Sequence, residues 1–118
     1  MAVVQMLRQV LPLLLLIVVQ ALAAGPGFRT QRHLDTHYAQ HGREFGKITK
    51  QQYLHLAQDL RDTPPRGQIL ESKRRSDGVT TRFDRKRGYF GAYDSDRTIR
   101  TFFIPNAGES YFKRQAKQ

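Results

Sequence analysis

Three histidines, His33, His37 and His41, recur at intervals of four residues in the first polar part of the chain. On an α-helix this spacing places the three imidazoles along one face, because residues i and i+4 are neighbours on the helix surface. The pKa of histidine lies near neutrality, so this histidine stripe can supply a general acid or base. Two histidines one turn apart can instead hold zinc. A plain polar helix face is the third alternative.

Other kinds of catalytic site find less support. The sequence places no third or fourth metal ligand near the histidine stripe, and it contains no cysteine, so thiol catalysis and cysteine-zinc sites are excluded. No nucleophile elbow of the Gly-x-Ser-x-Gly type is present. The glutamates Glu44, Glu71 and Glu109 lie in polar segments, which makes a glycosidase pair of carboxylates a weaker alternative. We therefore predict no metal and no cofactor.

The beginning of the chain has the pattern of a secretory leader. Residues 10–19 are almost entirely apolar, and small alanines stand at the positions that signal peptidase requires. The apolar run is shorter than the roughly 20 residues of a membrane span. We predict a signal peptide over residues 1–23, with an uncleaved anchor as the alternative, and an exported protein, periplasmic or secreted. A linker over residues 24–32 and a domain over residues 33–118 follow.

The charge of the chain predicts an anionic partner. The formal net charge is +10, and removal of residues 1–23 deletes only Arg8 among the charged side chains, which leaves +9. A small basic domain attracts polyanions, because lysine and arginine displace counterions from a phosphate backbone. Nucleic acid is the predicted partner. An anionic cell surface and a merely solvated basic surface are the alternatives.

Two helices are predicted at the start of the domain. The first covers residues 30–41 and is expected to stop at Gly42 in left-handed geometry. The second begins after Thr49, whose side chain forms a capping box with Gln52. It carries apolar residues at helical spacing and ends before Pro64.

The remainder of the domain changes to the pattern of strands. Turn sequences separate four short segments rich in β-branched and aromatic residues, which cover residues 69–75, 79–84, 89–94 and 98–104. We predict an α+β fold in which the two N-terminal helices pack on a four-stranded antiparallel meander sheet. Tyr111 and Phe112 are expected to pack back onto this sheet, and residues 113–118 to fray. Strand alternation leaves open which of Arg100 and Thr101 faces a site.

Cleavage of RNA without a metal ion would use the residue types at hand. It requires a base for the ribose 2′-hydroxyl, an acid for the leaving 5′-oxygen and cations for the charge on the phosphate. Histidine suits the acid or base role, arginine and lysine suit the charge, and a hydroxyl group can donate to a phosphoryl oxygen. The chain supplies such groups at His37, His41, Lys47, Arg74, Arg82, Arg100 and Thr101.

Three segments carry a resemblance to a known family: "HYAQHGREFGKITKQQYLHLA", "SDGVTTRFD" and "YFGAYDSDRTIRTFFIPNAGESYF". They resemble the C-terminal toxin domains of polymorphic bacterial toxins, in the barnase, EndoU, colicin and RelE-like (BECR) superfamily of ribonucleases. His41-Gly42 followed by Phe45-Gly46 is similar to the colicin D-like subset. The resemblance covers about residues 33–112.

The resemblance implies a BECR-like fold and metal-independent cleavage of RNA, with transfer RNA as one candidate substrate. Attack by the 2′-hydroxyl would leave a cyclic phosphate. It implies His41 as the general acid or base, Thr101 as a hydrogen-bond donor to the phosphate, and Phe103 as the aromatic residue two positions further on. Colicin D-like toxins carry lysines just before the histidine, where this chain has Tyr38 and Gln40.

We therefore predict an exported endoribonuclease of toxin type. Its catalytic residues are predicted to be His41, Thr101, Arg82 and Lys47. Contacts to the substrate are predicted from His37, Arg74, Tyr93, Arg100 and Phe103. Besides RNA, a small acidic immunity or inhibitor protein is the expected partner, and the domain is expected to be a monomer without stable membrane insertion once the leader is cleaved. The alternatives are a non-catalytic domain that binds nucleic acid or an anionic polymer, and an inactivated toxin relative.

Overall fold

The computed structural model describes residues 25–118, so the predicted signal peptide lies outside the described residues. The elements follow in the order α1 (Gln31–His41), a 3₁₀ turn (Gly42–Phe45), α2 (Lys50–Asp62), β1 (Ile69–Lys73), β2 (Thr80–Asp84), β3 (Phe90–Tyr93), β4 (Ile99–Phe103) and α3 (Glu109–Ala116). The predicted α+β class is confirmed. Within residues 25–118, no helix has the length and apolar character needed to cross a membrane.

The four strands form one antiparallel sheet in the order β1-β2-β3-β4, the meander that the sequence predicts. Gly78 and Gly88 adopt φ values of 72° and 78° in the first two hairpin turns, a region that side chains with a Cβ disfavour. Arg97 adopts φ 73° in the third turn. Since the turns are tight, each strand pairs with its neighbour in sequence, and β1 and β4 are the two edges.

Helix α2 covers one face of the sheet. Its first turn has the predicted capping box, in which Thr49 Oγ1 accepts from the Gln52 amide at 3.1 Å and Gln52 Oε1 accepts from the Thr49 amide at 2.8 Å. Tyr53, Ala57 and Leu60 follow at helical spacing, and all three are buried. Their burial against the strands fixes α2 on the sheet.

The other face of the sheet is covered by α3, where the sequence predicts two packed aromatic residues followed by a frayed end. Phe112 is buried and its ring stacks on that of Phe83 at 6.2 Å between centroids. The edge of the Tyr111 ring contacts Phe90 at 4.9 Å. The packing of the two aromatic residues is as expected, but fraying is wrong for residues up to Ala116 because this buried aromatic surface holds the last helix in place.

The segment before α1 belongs to the domain rather than to the predicted linker. The carbonyl of Gly27 accepts a hydrogen bond of 2.9 Å from the amide of Ile99, and Phe28 forms a parallel bridge with Ile99. Thr30 then caps α1 through its side chain. These contacts place α1 along the outer edge of β4.

The sequence predicts that Gly42 ends α1 in left-handed geometry, and this prediction is wrong. Its φ and ψ are −54° and −39°, and the chain continues through the 3₁₀ turn to Gly46, which has φ 87°. A Cβ atom at position 42 would lie 2.7 Å from Cδ1 and Cε1 of Tyr38. Glycine is therefore required here for the space that the Tyr38 ring occupies, and Gly46 supplies the positive φ.

A bulge interrupts the alternation of β4 at Arg100. The residues on either side of Arg100 pair with consecutive residues of β3, so Arg100 has no partner in the ladder. As a result, Ile99 and Phe102 both pack in the cluster beneath α2. Strict alternation would have placed them on opposite faces. The bulge frees Arg100 to pair with side chains outside the sheet.

The close approach of Gly42 to the Tyr38 ring gives a prediction for stability. Gly42→Ala should destabilise the fold by about 1–3 kcal/mol, the usual cost of overpacking, although alanine favours a helical backbone over glycine by about 1 kcal/mol. Urea unfolding measures the difference. In a Tyr38→Leu background the same change should cost less, because the ring is gone. Stabilisation of the wild-type background by Gly42→Ala would contradict the packing described.

Candidate active site

His41 is paired with a carboxylate at the point where α1 passes the end of β4. Its Nδ1 lies 2.7 Å from Oε2 of Glu44, and the other oxygen of Glu44 accepts a hydrogen bond of 2.8 Å from the amide of Ile104. Because a carboxylate accepts, the proton of the neutral His41 ring lies on Nδ1. Nε2 is then left with its lone pair. Both side chains are partly exposed, at 26% for His41 and 33% for Glu44.

The 3₁₀ turn positions His41 and Glu44 by packing Phe45, the residue after Glu44, against the core. The Phe45 ring stacks on Phe102 at 4.7 Å between centroids, and its edge contacts Tyr53 and Tyr89. With Phe45 fixed in the core, the tight turn leaves Glu44 on the outside, beside the last residue of α1. The sequence motif thus encodes a histidine–carboxylate pair, and Glu44 is a candidate site residue that sequence reasoning did not select. Its spacing of three residues from His41 was the available signal.

Phe103 supports the ring of His41 from the sheet. The two ring centroids are 5.1 Å apart and the planes are inclined by 29°. Thr101 precedes Phe103 by two residues on β4, so its partly exposed side chain projects from the same face of the strand. The structure therefore brings His41 and Phe103 into contact and places the Thr101 hydroxyl on the neighbouring position of the same face.

His37 lies one turn earlier and is more enclosed. Its ring stacks on Phe28 at 5.0 Å and lies 6.2 Å from the His41 ring between centroids. The Nδ1 atom of His37 is buried without a hydrogen-bond partner. Burial, together with the neighbouring His41 and His33, lowers the pKa of His37 from its ordinary value of 6.5. His37 therefore favours the neutral form.

A cleft of about 150 Å³ opens beside His37, between α1 and the edge of β4. Its charged walls are Arg29, Asp94 and Arg100. Asp94 accepts from both arginines, at 3.0 Å from Arg29 and 2.8 Å from Arg100. Two cations and one anion therefore face the cleft, and one of its walls is the predicted substrate residue Arg100.

Two exposed cations stand on the turn itself. Arg43 and Lys47 make no ion pair within the part of the chain that the structure describes, and both are exposed. Arg43 lies between His41 and Glu44 in sequence, and Lys47 follows Gly46. They keep their full charge available to a phosphate, and Arg43 was not among the residues that sequence reasoning selected.

Arg82 and Tyr93 lie in the interior, which corrects their predicted roles in catalysis and substrate binding. Arg82 donates to two carbonyl oxygens near the end of α2 and pairs with Glu71 at 2.6 Å. The Tyr93 hydroxyl donates to the carbonyl of Ala57 at 2.8 Å, and burial raises its pKa. Both residues fasten α2 to the sheet.

Arg74 belongs to the first hairpin rather than to the His41 surface. It pairs with Asp77 at 2.9 Å, and Asp77 also lies 3.7 Å from the guanidinium of Arg100. Arg74 is thus connected to the cleft only through shared ion pairs.

No metal centre accompanies the histidines in the described structure. Within residues 25–118, no group of three histidine, aspartate or glutamate side chains is arranged to hold a metal ion.

Comparison of the chain with models of protein families and with curated proteins finds no match. The similarity of its motifs to the BECR ribonucleases stays a prediction from the sequence, and its functional consequences are proposals.

The buried contacts of Arg82 predict a structural role that can be measured. Arg82→Met should lower the free energy of unfolding by about 2 kcal/mol or more, because two buried carbonyl groups lose their donor. Glu71→Gln keeps an acceptor for Arg82 and should cost less than about 1 kcal/mol. Urea unfolding of both variants tests this. Equal stability of Arg82→Met and wild type would contradict the structural role.

The lowered pKa of His37 predicts a loss of stability in mild acid. The unfolded chain binds the proton more readily than the folded chain, so this contribution is fully present above about pH 6.5 and is lost as the pH falls below it. Urea unfolding between pH 7.5 and 5 should show a shallower loss for His37→Gln than for wild type. His55→Gln, at an exposed histidine of α2, is the matched control. Identical pH profiles for wild type and His37→Gln would rule out a lowered pKa of His37 as the cause.

Proposed function

We propose that the chain is a metal-independent endoribonuclease in which His41 takes up the proton of the attacking hydroxyl. The observation that carries the proposal is the 2.7 Å contact between His41 Nδ1 and Glu44 Oε2. A carboxylate on one nitrogen fixes the tautomer, so that the other nitrogen is free to act as a base. The proposal also rests on the basic charge of the chain and on the motifs shared with the BECR ribonucleases.

The reaction is an attack within the RNA strand. His41 Nε2 removes the proton from the ribose 2′-hydroxyl, and the oxygen forms a bond to the adjacent phosphorus. The bond from phosphorus to the 5′-oxygen breaks, and that oxygen takes a proton from solvent. The products are a 2′,3′-cyclic phosphate and a 5′-hydroxyl end, and His41 returns its proton to solvent. Before the bond to the 5′-oxygen breaks, charge-assisted contacts lower the energy of the pentavalent intermediate.

The residues around His41 supply such contacts. The cations of Arg43 and Lys47 are exposed and lack ion pairs among residues 25–118. The Thr101 hydroxyl on the adjacent face of β4 is a donor for a phosphoryl oxygen. Phe103 keeps the His41 ring in place by stacking. His41, Glu44, Thr101, Arg43 and Lys47 are the proposed catalytic group.

The wider role follows from the same proposal. A single-stranded segment of RNA, or a loop of transfer RNA, fits an exposed site that has cations and no deep pocket. A chain with a secretory leader would carry this activity out of the producing cell, and a small acidic inhibitor would cover the basic site before export. Toxin function, export and the inhibitor belong to the proposal together with RNA cleavage.

Kinetics with a fluorescent RNA oligonucleotide in EDTA test the proposal. His41→Ala should lower the cleavage rate at least about 100-fold, the usual contribution of a general base. Glu44→Gln turns an amide N–H toward Nδ1 and forces the proton onto Nε2, so the rate should fall about 10- to 100-fold. His55→Ala should leave the rate unchanged.

Two outcomes would overturn the proposal. One is RNA that the wild-type protein binds but leaves intact at every concentration, which is the behaviour of a binding module whose affinity falls with salt. The other is an activity that His41→Ala retains in full. Circular dichroism of each variant verifies that a lost activity does not reflect a lost fold.

A further inference from the structure

His37 is enclosed on one side of its ring and open toward the cleft on the other. Nδ1 is buried without a hydrogen-bond partner in the part of the chain that the structure describes, and the ring is stacked on Phe28. The ring also lines the cleft between α1 and β4. The two nitrogens of His37 therefore meet different surroundings.

These surroundings select one tautomer. A proton on Nδ1 would bury an N–H group without an acceptor, an arrangement that proteins rarely tolerate. The neutral ring therefore carries its proton on Nε2 and acts as a donor. Since the lone pair then lies on the buried nitrogen, His37 has no accessible base. Its chemistry differs from that of His41, in which Glu44 fixes the proton on Nδ1.

The cleft beside His37 contains two arginines that carboxylates hold in place. Asp94 uses its two oxygens to hold Arg29 and Arg100. Arg29 also pairs with Asp96 at 3.2 Å, and Arg100 lies 3.7 Å from Asp77. Both arginines remain about half exposed, at 54% and 49%, so other N–H groups of each are accessible. The cleft volume of about 150 Å³ suits a small group such as a phosphate rather than a whole nucleotide.

We propose that this cleft is a subsite for a backbone phosphate of the RNA, in which His37 donates a hydrogen bond from Nε2 and Arg29 and Arg100 supply the charge. The inference rests on the proposed function. It adds a contact to a second phosphate, next to the phosphate at which His41 acts as the base. The 6.2 Å between the His37 and His41 rings places the two groups on neighbouring positions of one strand. His37 is thus a binding residue, and His41 alone provides the base.

Two substitutions separate the nitrogens of His37. The side-chain amide of glutamine reaches the position of Nε2, whereas that of asparagine reaches only the position of Nδ1. The probe is an RNA oligonucleotide with 2′-O-methyl groups, which cannot be cleaved by 2′-hydroxyl attack, so the measurement is independent of catalysis. Fluorescence anisotropy on the full chain should give an unchanged Kd, within about twofold, for His37→Gln. His37→Asn and His37→Ala should weaken binding about tenfold.

Nitrogen NMR of the imidazoles provides the second readout. His37 should show the Nε2–H tautomer, and titration with inorganic phosphate should shift its signals while those of His55 stay in place. A proton on Nδ1, signals that respond to Zn²⁺ but not to phosphate, or equal affinities of His37→Asn and His37→Gln would each overturn the subsite. Phosphate binding without RNA cleavage would support the subsite and refute only the catalytic proposal.

Discussion

The carboxylate of Glu44 joins the end of the first helix to the end of the last strand, and the geometry of the site depends on it. One oxygen accepts from the amide of Ile104 and the other from Nδ1 of His41. Because Ile104 directly follows β4, Glu44 ties the His41 ring to the end of the sheet, and stacking on Phe103 restrains the ring from another direction. In the proposed reaction, a fixed ring favours proton transfer because its lone pair is held in one direction.

Charge is distributed unevenly around this centre. The arginines of the cleft are paired with carboxylates, so they form a fixed arrangement with little net charge. Arg43 and Lys47, on the turn after His41, have no such partners within residues 25–118. In the proposed complex the first group would position a strand of nucleic acid, and the second would attract it over longer distances, an effect that salt weakens.

The sequence predicts elements whose local signals agree, and it misses features that arise from contacts between distant residues. The capping box at Thr49 and the turn glycines depend on neighbours in the chain, so α2 and the meander could be predicted. Two contacts exist only after the chain has packed. They are the close approach of Gly42 to the Tyr38 ring and the hydrogen bonds from Arg82 to carbonyl groups. Likewise, a strict period of two along β4 cannot reveal a bulge at Arg100. His41 was selected from its motif, whereas its pairing with Glu44 required the distance between the two side chains.

The chemistry of the RNA ends tests the central claim most directly, since it reports both the attacking group and the need for His41. Phosphorus NMR of an RNA oligonucleotide incubated with the purified full chain in EDTA distinguishes cyclic from linear phosphate ends. We expect a 2′,3′-cyclic phosphate signal to accumulate with the wild-type protein and to be absent with His41→Ala. Intact RNA with the wild-type protein, or cleavage that yields 5′-phosphate ends, would refute RNA cleavage by 2′-hydroxyl attack.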